Sequence, residues 1–150
     1  MEKTQRMLNP DAPLPLSCEI ELTPAFHDID PLEIVWHGHY VKYLECARSA
    51  LMDQFAYNYR QMRDSGYAWP IIELHLKYLR PVKLGQRIKI RAQITEWQSR
   101  LKIDYLISDA LSGQKINQAS SIQVAVEIAS GEMQFLCPPI LWQSLGVHAE

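Results

Sequence analysis

Apolar and polar residues alternate over five stretches of the chain, as they do in strands that bury one face. The first stretch runs from Cys18 to Leu22, and the others lie in the second half of the chain: Ile72 to Tyr78, Ile88 to Ile94, Leu101 to Ile107, and Ile122 to Ile128. Segments that contain Gly, Pro, Asp or Ser separate the last four stretches, and these residues favour turns. The pattern therefore predicts five strands, of which the last four follow one another through hairpin-length connections.

The hydrophobic period changes between residues 40 and 55. Apolar side chains there recur every three or four positions, which predicts one amphipathic helix of about five turns. They are Tyr40, Tyr43, Leu44, Ala47, Leu51 and Phe55, whereas Lys42, Glu45, Arg48 and Asp53 fall outside the stripe. Because every strand has a single apolar face, we expect the helix to lie across a curved, mainly antiparallel sheet of about five strands, in the α+β class.

Length and composition indicate one globular domain over residues 1–150. With 47% hydrophobic and 21% charged residues, the chain can build a core of ordinary size. Residues 1–16 contain three prolines between polar residues and are predicted to form an irregular arm. Residues 138–145 are too few for a second domain and are predicted to cap the fold.

Charge and cysteine content narrow the functional classes. The net charge of -2 provides no excess of basic residues for a nucleic-acid backbone, so we expect no nucleic-acid partner. Cys18, Cys46 and Cys137 are widely spaced and form no C-x-x-C pair, which disfavours a disulfide framework and a zinc site and favours the reducing cytoplasm. No apolar stretch reaches the length of a signal-peptide core or a membrane span, so we expect neither export nor membrane insertion.

Ionisable residues are concentrated in the segment FHDIDPLEIVWHGHY, residues 26–40, between the first strand and the helix. Backbone N–H groups in a first helical turn lack partners, and the helix dipole adds partial positive charge, so this position would stabilise an oxyanion. Gly38 leaves room for a close approach there, although a glycine could equally serve only the turn. In the same way, Asp30 before Pro31 could serve only to begin a turn.

This segment, followed by YLECAR at residues 43–48, resembles the active-site signature of the hotdog-fold acyl-CoA thioesterases of the 4-hydroxybenzoyl-CoA thioesterase class. The resemblance implies a single hotdog thioesterase domain that hydrolyses an acyl thioester of coenzyme A or of an acyl carrier protein, without a cofactor or metal. It also implies a homodimer or homotetramer, because this family builds its active site at a subunit interface. The family often has Gly two residues after the Asp-Pro pair, where this chain has Leu32 and Glu33.

The resemblance also assigns roles to individual residues. Asp30 matches the family's catalytic carboxylate, a nucleophile or general base, and His37 matches the position whose backbone N–H faces the thioester oxygen. Gly38, His39 and Tyr40 lie at the same helix start and are candidate substrate-binding residues. We expect Asp28 to form hydrogen bonds within the loop rather than to act as a second base. Four aromatic side chains could line an acyl pocket: Trp36, Tyr40, Tyr67 and Trp69.

A run of basic residues without any acidic residue extends from Lys77 to Arg91. Arg80, Lys83 and Arg87 flank a turn within this run and are candidates for binding the phosphates of coenzyme A or an acidic carrier protein. The alternative is an ordinary solvated strand face.

Three other functions remain open at this level. A hotdog dehydratase or hydratase would use a histidine with a helical carboxylate, for which Glu45 is the candidate. A non-catalytic module would bind an acyl thioester without consuming it. His37 and His39 could also bind a metal together with an aspartate, although no further ligands cluster nearby in the sequence and we expect no metal.

Overall fold

A long helix and a sheet make up most of the fold, which a computed structural model describes for residues 14–149. The helices are α1 (Tyr40–Gln54), α2 (Tyr59–Asp64) and α3 (Pro139–Leu145). The strands are β1 (Ser17–Leu22), β2 (Tyr67–Ala68), β3 (Ile71–Tyr78), β4 (Ile88–Glu96), β5 (Leu101–Asp109), β6 (Lys115–Gln123) and β7 (Val126–Glu127). The predicted arm over residues 1–16 lies mostly outside the described residues.

Five of the strands form one antiparallel sheet in the order β1-β4-β5-β6-β3, so β1 and β3 are its edges. Helix α1 packs against β1 and β4. The predicted α+β architecture, one long helix on a sheet of five strands, is confirmed. Strands β2 and β7 form a separate small pair, and α3 is the predicted terminal cap. No helix within residues 14–149 has the length and apolar character needed to cross a bilayer.

The core forms where the sequence pattern places it, with one exception on the helix. The alternating apolar residues of β4 and β5 and the apolar stripe of α1 are buried. Arg48, predicted to lie outside the stripe, is also buried, with 1% of its surface exposed. Its guanidinium pairs with Glu45 and stacks 4.3 Å from the ring centre of Tyr59 in α2. The helical period could not reveal this burial, because α2 supplies the cover.

The predicted last strand, Ile122 to Ile128, is wrong in its bounds. Strand β6 runs from Lys115 to Gln123 and pairs with both β5 and β3. The same face of β6 buries Asn117, Ser121 and Gln123. These polar side chains remove the apolar alternation, so the sequence gives no strand signal before residue 122.

Helix α1 ends at Gln54, slightly earlier than predicted, and a second helix follows. Ala56 has a left-handed backbone with φ of 51°, which turns the chain out of α1. Asn58 then caps α2, and Gln61 completes a capping box with it. The chain therefore folds back on itself at the end of α1.

Candidate active site

The segment around Asp30 folds into a tight hairpin between β1 and α1. The Asp30 N–H donates to the Ile34 carbonyl at 2.8 Å, and the Glu33 N–H donates to the Asp30 carbonyl at 2.9 Å. The Val35 N–H donates to the Val82 carbonyl at 2.8 Å, which ties this hairpin to the loop before β4. We call residues 28–36 the Asp-Pro loop.

The Asp30 carboxylate has one oxygen engaged and one available. Its Oδ1 accepts the Leu32 N–H at 2.8 Å, which fixes the direction of the side chain. Among the described residues, nothing donates to Oδ2. The carboxylate is half-buried. It can therefore accept a proton or attack an electrophile through Oδ2 while Oδ1 holds it in place.

Glu33 adopts a left-handed conformation in this loop, with φ of 64°. An L-residue with a side chain pays about 1–2 kcal/mol for that conformation, and glycine pays little. This is the part of the loop in which the resembled family often has Gly. The chain adopts this left-handed conformation in spite of the Glu33 side chain.

The start of α1 presents unpaired backbone N–H groups beside the loop. A 3-10 turn, His37–His39, leads directly into the helix. Among the described residues, neither the His37 N–H nor the Gly38 N–H has an acceptor. Tyr78, at the end of β3, donates its OH to the His37 carbonyl at 2.5 Å. Strand β3 therefore holds the helix start in place.

Gly38 does not leave the open space expected from the sequence. A Cβ on Gly38 would lie 2.1 Å from the Trp36 ring. The indole therefore fills the volume that a side chain would need, and it also contacts the rings of His37 and His39. The glycine serves close packing by Trp36.

Asp28 anchors the Asp-Pro loop to α1. Its carboxylate is buried and accepts hydrogen bonds from Lys42 Nζ and from the Tyr43 OH, both at 2.6 Å. Burial alone would raise the pKa of Asp28, but these hydrogen bonds and the charge of Lys42, with a smaller effect of His39, lower it to about 2. Its position agrees with the predicted role as a hydrogen-bonding residue of the loop.

His39 and Tyr40, predicted to bind substrate, have protein contacts of their own. His39 Nε2 lies 4.0 Å from Asp28 Oδ1. Tyr40 is 2% exposed, its OH accepts the Val82 N–H at 3.3 Å, and its ring lies 5.1 Å from that of Tyr78. Burial raises the pKa of Tyr40. Tyr40 is thus part of the packing around the start of α1.

The three basic candidates occupy different surroundings. Lys83 is exposed and pairs through its backbone with Ile34 in the Asp-Pro loop. Arg87 Nε donates to Glu21 Oε2 at 2.7 Å, and Arg80 Nη1 donates to the Lys115 carbonyl at 3.4 Å. Of the three, Lys83 is therefore the one whose backbone the fold brings next to the loop.

The four predicted pocket aromatics fall into two separate groups. Trp36 and Tyr40 lie at the helix start, whereas Tyr67 and Trp69 line a cleft of about 490 Å³ near α2. The single aromatic pocket expected from the sequence is therefore not formed within one chain.

Three further residues position the site, and the sequence alone predicts no functional role for them. Lys42 and Tyr43 hold Asp28, and Tyr78 holds the His37 carbonyl. The only sequence feature that could have identified Tyr78 is its position at the end of an alternating stretch. Glu45, the acid needed by a hydratase, is instead bound to Arg48.

Comparison with known proteins identifies relatives in sequence and in structure. A Synechocystis protein named as an esterase, sll0410, is 29% identical over 120 residues, which cover 79% of this chain and 72% of that protein. The structure of Slr0204, a 1,4-dihydroxy-2-naphthoyl-CoA thioesterase from Synechocystis, superposes with a TM-score of 0.77 at 18% identity, covering 87% of this chain and 96% of that one. A 4-hydroxybenzoyl CoA thioesterase bound to 4-hydroxybenzoyl CoA gives 0.75 at 19% identity, covering 87% and 99%.

The structural matches confirm the hotdog fold. The family profile of the Thioesterase-like superfamily matches residues 24–139, which include the whole Asp-Pro loop, α1 and the sheet from β3 to β6. The chain therefore belongs to the Thioesterase-like superfamily.

Proposed function

We propose that the protein hydrolyses an acyl thioester, of coenzyme A or of an acyl carrier protein, to the free acid and the thiol. One observation carries this proposal. A fixed carboxylate, Asp30, has an unpaired oxygen on the same short loop that leads to the unpaired N–H groups of His37 and Gly38. A carboxylate and an oxyanion site are the two groups that this reaction needs.

Asp30 acts on the thioester in one of two ways. As a nucleophile, Oδ2 attacks the carbonyl carbon, the C–S bond breaks, and water then hydrolyses the acyl-aspartate anhydride. As a general base, Oδ2 takes a proton from the water that attacks, the C–S bond breaks, and the Asp30 carboxyl passes this proton to the departing sulfur, which leaves as the thiol. In both cases the carbonyl oxygen becomes negative, and the His37 N–H stabilises it. One such donor contributes about 2.7–4 kcal/mol.

The thiol carrier binds at the rim next to the loop. Lys83 lies beside Ile34 and supplies positive charge within reach of a phosphate that enters the site. Arg80 and Arg87 flank the turn that carries Lys83, although Arg80 donates to the Lys115 carbonyl and Arg87 shares its charge with Glu21. A rim of this kind attracts a nucleotide or an acidic carrier protein through charges that salt screens over about 8–10 Å.

The active enzyme is a homodimer whose subunits pair through β3, or a homotetramer made of two such dimers. Strand β3 is an edge strand, and its large apolar side chains are exposed, at 52% for Ile72 and 42% for Leu74. A long, exposed, apolar edge needs a partner strand.

Cys46 and Cys137 are free thiols. Free thiols persist in the reducing cytoplasm, which is the location that we propose for the protein.

A thiol-release assay with a panel of acyl-CoA and acyl carrier protein thioesters tests the proposal. Asp30→Asn should keep the fold and reduce kcat by about 10²-fold or more, because an amide neither attacks nor accepts the proton. Asp64→Asn, at an exposed acid in α2, is the matched control and should keep full activity. If Asp30→Asn retains activity within a factor of a few, Asp30 is not in the mechanism.

Two further results would change the proposal. If the wild-type protein binds acyl thioesters but releases no thiol, the chain is a binding module. If light scattering of the fully active enzyme at micromolar concentration gives the mass of a monomer, pairing through β3 is wrong.

A further inference from the structure

The exposed edge strand β3 has a sequence that is complementary to itself. Residues 72–78 read IELHLKY, so apolar and polar positions are arranged symmetrically about His75. A leucine stands on either side of His75, and Glu73 and Lys77 stand two positions from it with opposite charges. Such a strand presents complementary side chains to an antiparallel copy of itself.

The fold leaves this strand open to a partner. Among the described strands, only β6 pairs with β3, and this ladder is regular from Glu73 to Tyr78. Leu74 and Tyr78 are exposed on the apolar face of β3. Glu73, His75 and Lys77 are exposed on its polar face. Side chains on both faces can therefore contact a strand that is added at this edge.

Charge pairing favours one register of two antiparallel copies. When His75 lies opposite His75 of the partner subunit, Glu73 of each chain lies opposite Lys77 of the partner subunit. A shift by two residues places one of these charged side chains opposite His75 of the partner subunit and the other opposite an apolar residue. A shift by one residue turns the leucines of the two chains to opposite faces. Opposite charges directly across a strand pair stabilise it, so the register centred on His75 is the favoured one.

Contacts within the chain leave the charged side chains of β3 available for this pairing. Glu73 Oε2 lies 3.9 Å from Arg100 Nη1, but that guanidinium donates to Glu96 Oε2 at 2.6 Å. Among the described residues, neither Lys77 nor His75 forms an ion pair. A second copy of β3 can therefore supply the partners that the chain itself does not.

We propose that β3 binds β3 of a second copy of this chain in the register centred on His75. Two ion pairs specify this register, each between Glu73 of one chain and Lys77 of the partner subunit. The inference rests on the homodimer of the proposed function and adds the residues that select its pairing. It also makes the dimer sensitive to acid.

The acid sensitivity comes from His75, because histidine gains positive charge as the pH falls from about 8 to about 5. Two charged imidazoles would then lie directly opposite each other, and like charges in that position destabilise a strand pair. The effects of Glu73 and Lys77 largely cancel, because they stand at equal spacing on either side of His75. On β6, His75 faces the uncharged Ser120, and Asp104 lies one strand further away on β5. The repulsion between the two imidazoles therefore remains.

Charge reversal tests the register. Glu73→Lys alone, and Lys77→Glu alone, each place like charges opposite each other at two positions of the homodimer. The Kd of the dimer, measured by fluorescence-detected sedimentation, should therefore rise by about 10-fold or more. Asp104→Lys, at an exposed acid on the same face of the sheet but away from the edge, is the matched control and should leave the Kd unchanged.

A mixture of the two reversed chains gives a sharper result. A Glu73→Lys chain and a Lys77→Glu chain have opposite charges at both paired positions in this register alone. When the two chains carry different affinity tags and are co-expressed, the mixed dimer should clearly exceed the half that random pairing gives. It should also recover the Kd of the wild type to within a few-fold.

A pH series tests the position of His75. The Kd of the wild-type dimer should rise by about threefold or more between about pH 8 and about pH 5.5. His75→Gln should remove most of this rise, because glutamine stays uncharged over the whole range. The other histidines are unchanged in this variant, so the comparison isolates His75.

The outcomes separate this inference from the proposed function. If the reversed chains dimerise as tightly as wild type or pair at random, the register is wrong. If wild type shows no rise in acid, or His75→Gln keeps it, His75 does not face its own copy and the inference is also wrong. A monomeric wild type would overturn the inference together with the dimer. None of these measurements uses a substrate, whereas failure of the proposed hydrolysis would appear as a wild-type dimer that releases no thiol.

Discussion

Replacing Asp28 by Asn should make stability less dependent on acid pH, because this carboxylate ties the Asp-Pro loop to α1. Asn keeps the shape of the side chain and can still accept the hydrogen bond of the Tyr43 OH. It loses the negative charge that pairs with Lys42 Nζ at 2.6 Å. The change therefore isolates the charge of one buried group.

The magnitude follows from the pKa of Asp28. Its value falls from 3.8 to about 2 on folding, and at about 1.4 kcal/mol per pKa unit the ionised carboxylate contributes about 2 kcal/mol. A carboxyl whose pKa is lower in the folded chain stabilises the fold when it is ionised. This contribution is complete above the unfolded pKa of 3.8 and is lost as the pH falls through about 2. About 1 kcal/mol is lost by pH 3.

Urea unfolding of both proteins at about pH 5 and about pH 3, at one protein concentration, measures this contribution. The wild type should exceed Asp28→Asn by about 2 kcal/mol at the higher pH and by about 1 kcal/mol less at the lower pH. A difference that is the same at both pH values would refute the assigned pKa and the anchoring role of the ionised group.

Three other substitutions test separate parts of the structure. Glu33→Gly should raise the free energy of unfolding by about 0.5 kcal/mol or more, because φ of 64° suits glycine, and a loss of stability in urea unfolding would contradict this. The triple variant Arg80→Ala, Lys83→Ala, Arg87→Ala should raise KM for acyl-CoA, most strongly at low salt, with little change in kcat, and Lys83→Ala alone should account for most of it. An unchanged KM at both low and high salt would exclude the rim as the carrier site. Asn117→Val should stabilise the protein by about 1 kcal/mol, because both polar side-chain atoms of Asn117 are buried without a partner among the described residues, whereas destabilisation in urea unfolding would mean that a bound water satisfies them.

The sequence predicts those parts of the fold in which burial follows a regular period. Strands β4 and β5 and helix α1 each bury one apolar face, so counting positions identifies them. The predicted bounds of strand β6 are wrong because its buried face carries Asn117, Ser121 and Gln123. The sequence does not predict the burial of Arg48, because α2 covers this residue and no local pattern indicates a contact with a later element.

The candidate site, too, is only partly predictable from the sequence. The spacing of Asp30 and His37 could be matched to a family signature, and the hairpin that carries them is local in sequence. The partners that hold this hairpin come from other elements: Val82 from the loop before β4, and Tyr78 from the end of β3. Long-range contacts of this kind leave no periodic signal.

Strand β3 also determines how the two subunits of the proposed dimer are positioned. In the proposed dimer, the separation between the two copies of Asp30 depends on how far the two copies of β3 overlap. Side chains alternate between the faces of a strand, so the overlap can change only in steps of two residues without turning apolar side chains to the wrong face. Each step shifts one subunit along the other by about 6.8 Å. A change of pairing register would therefore change the distance between the two active sites in discrete steps and not continuously.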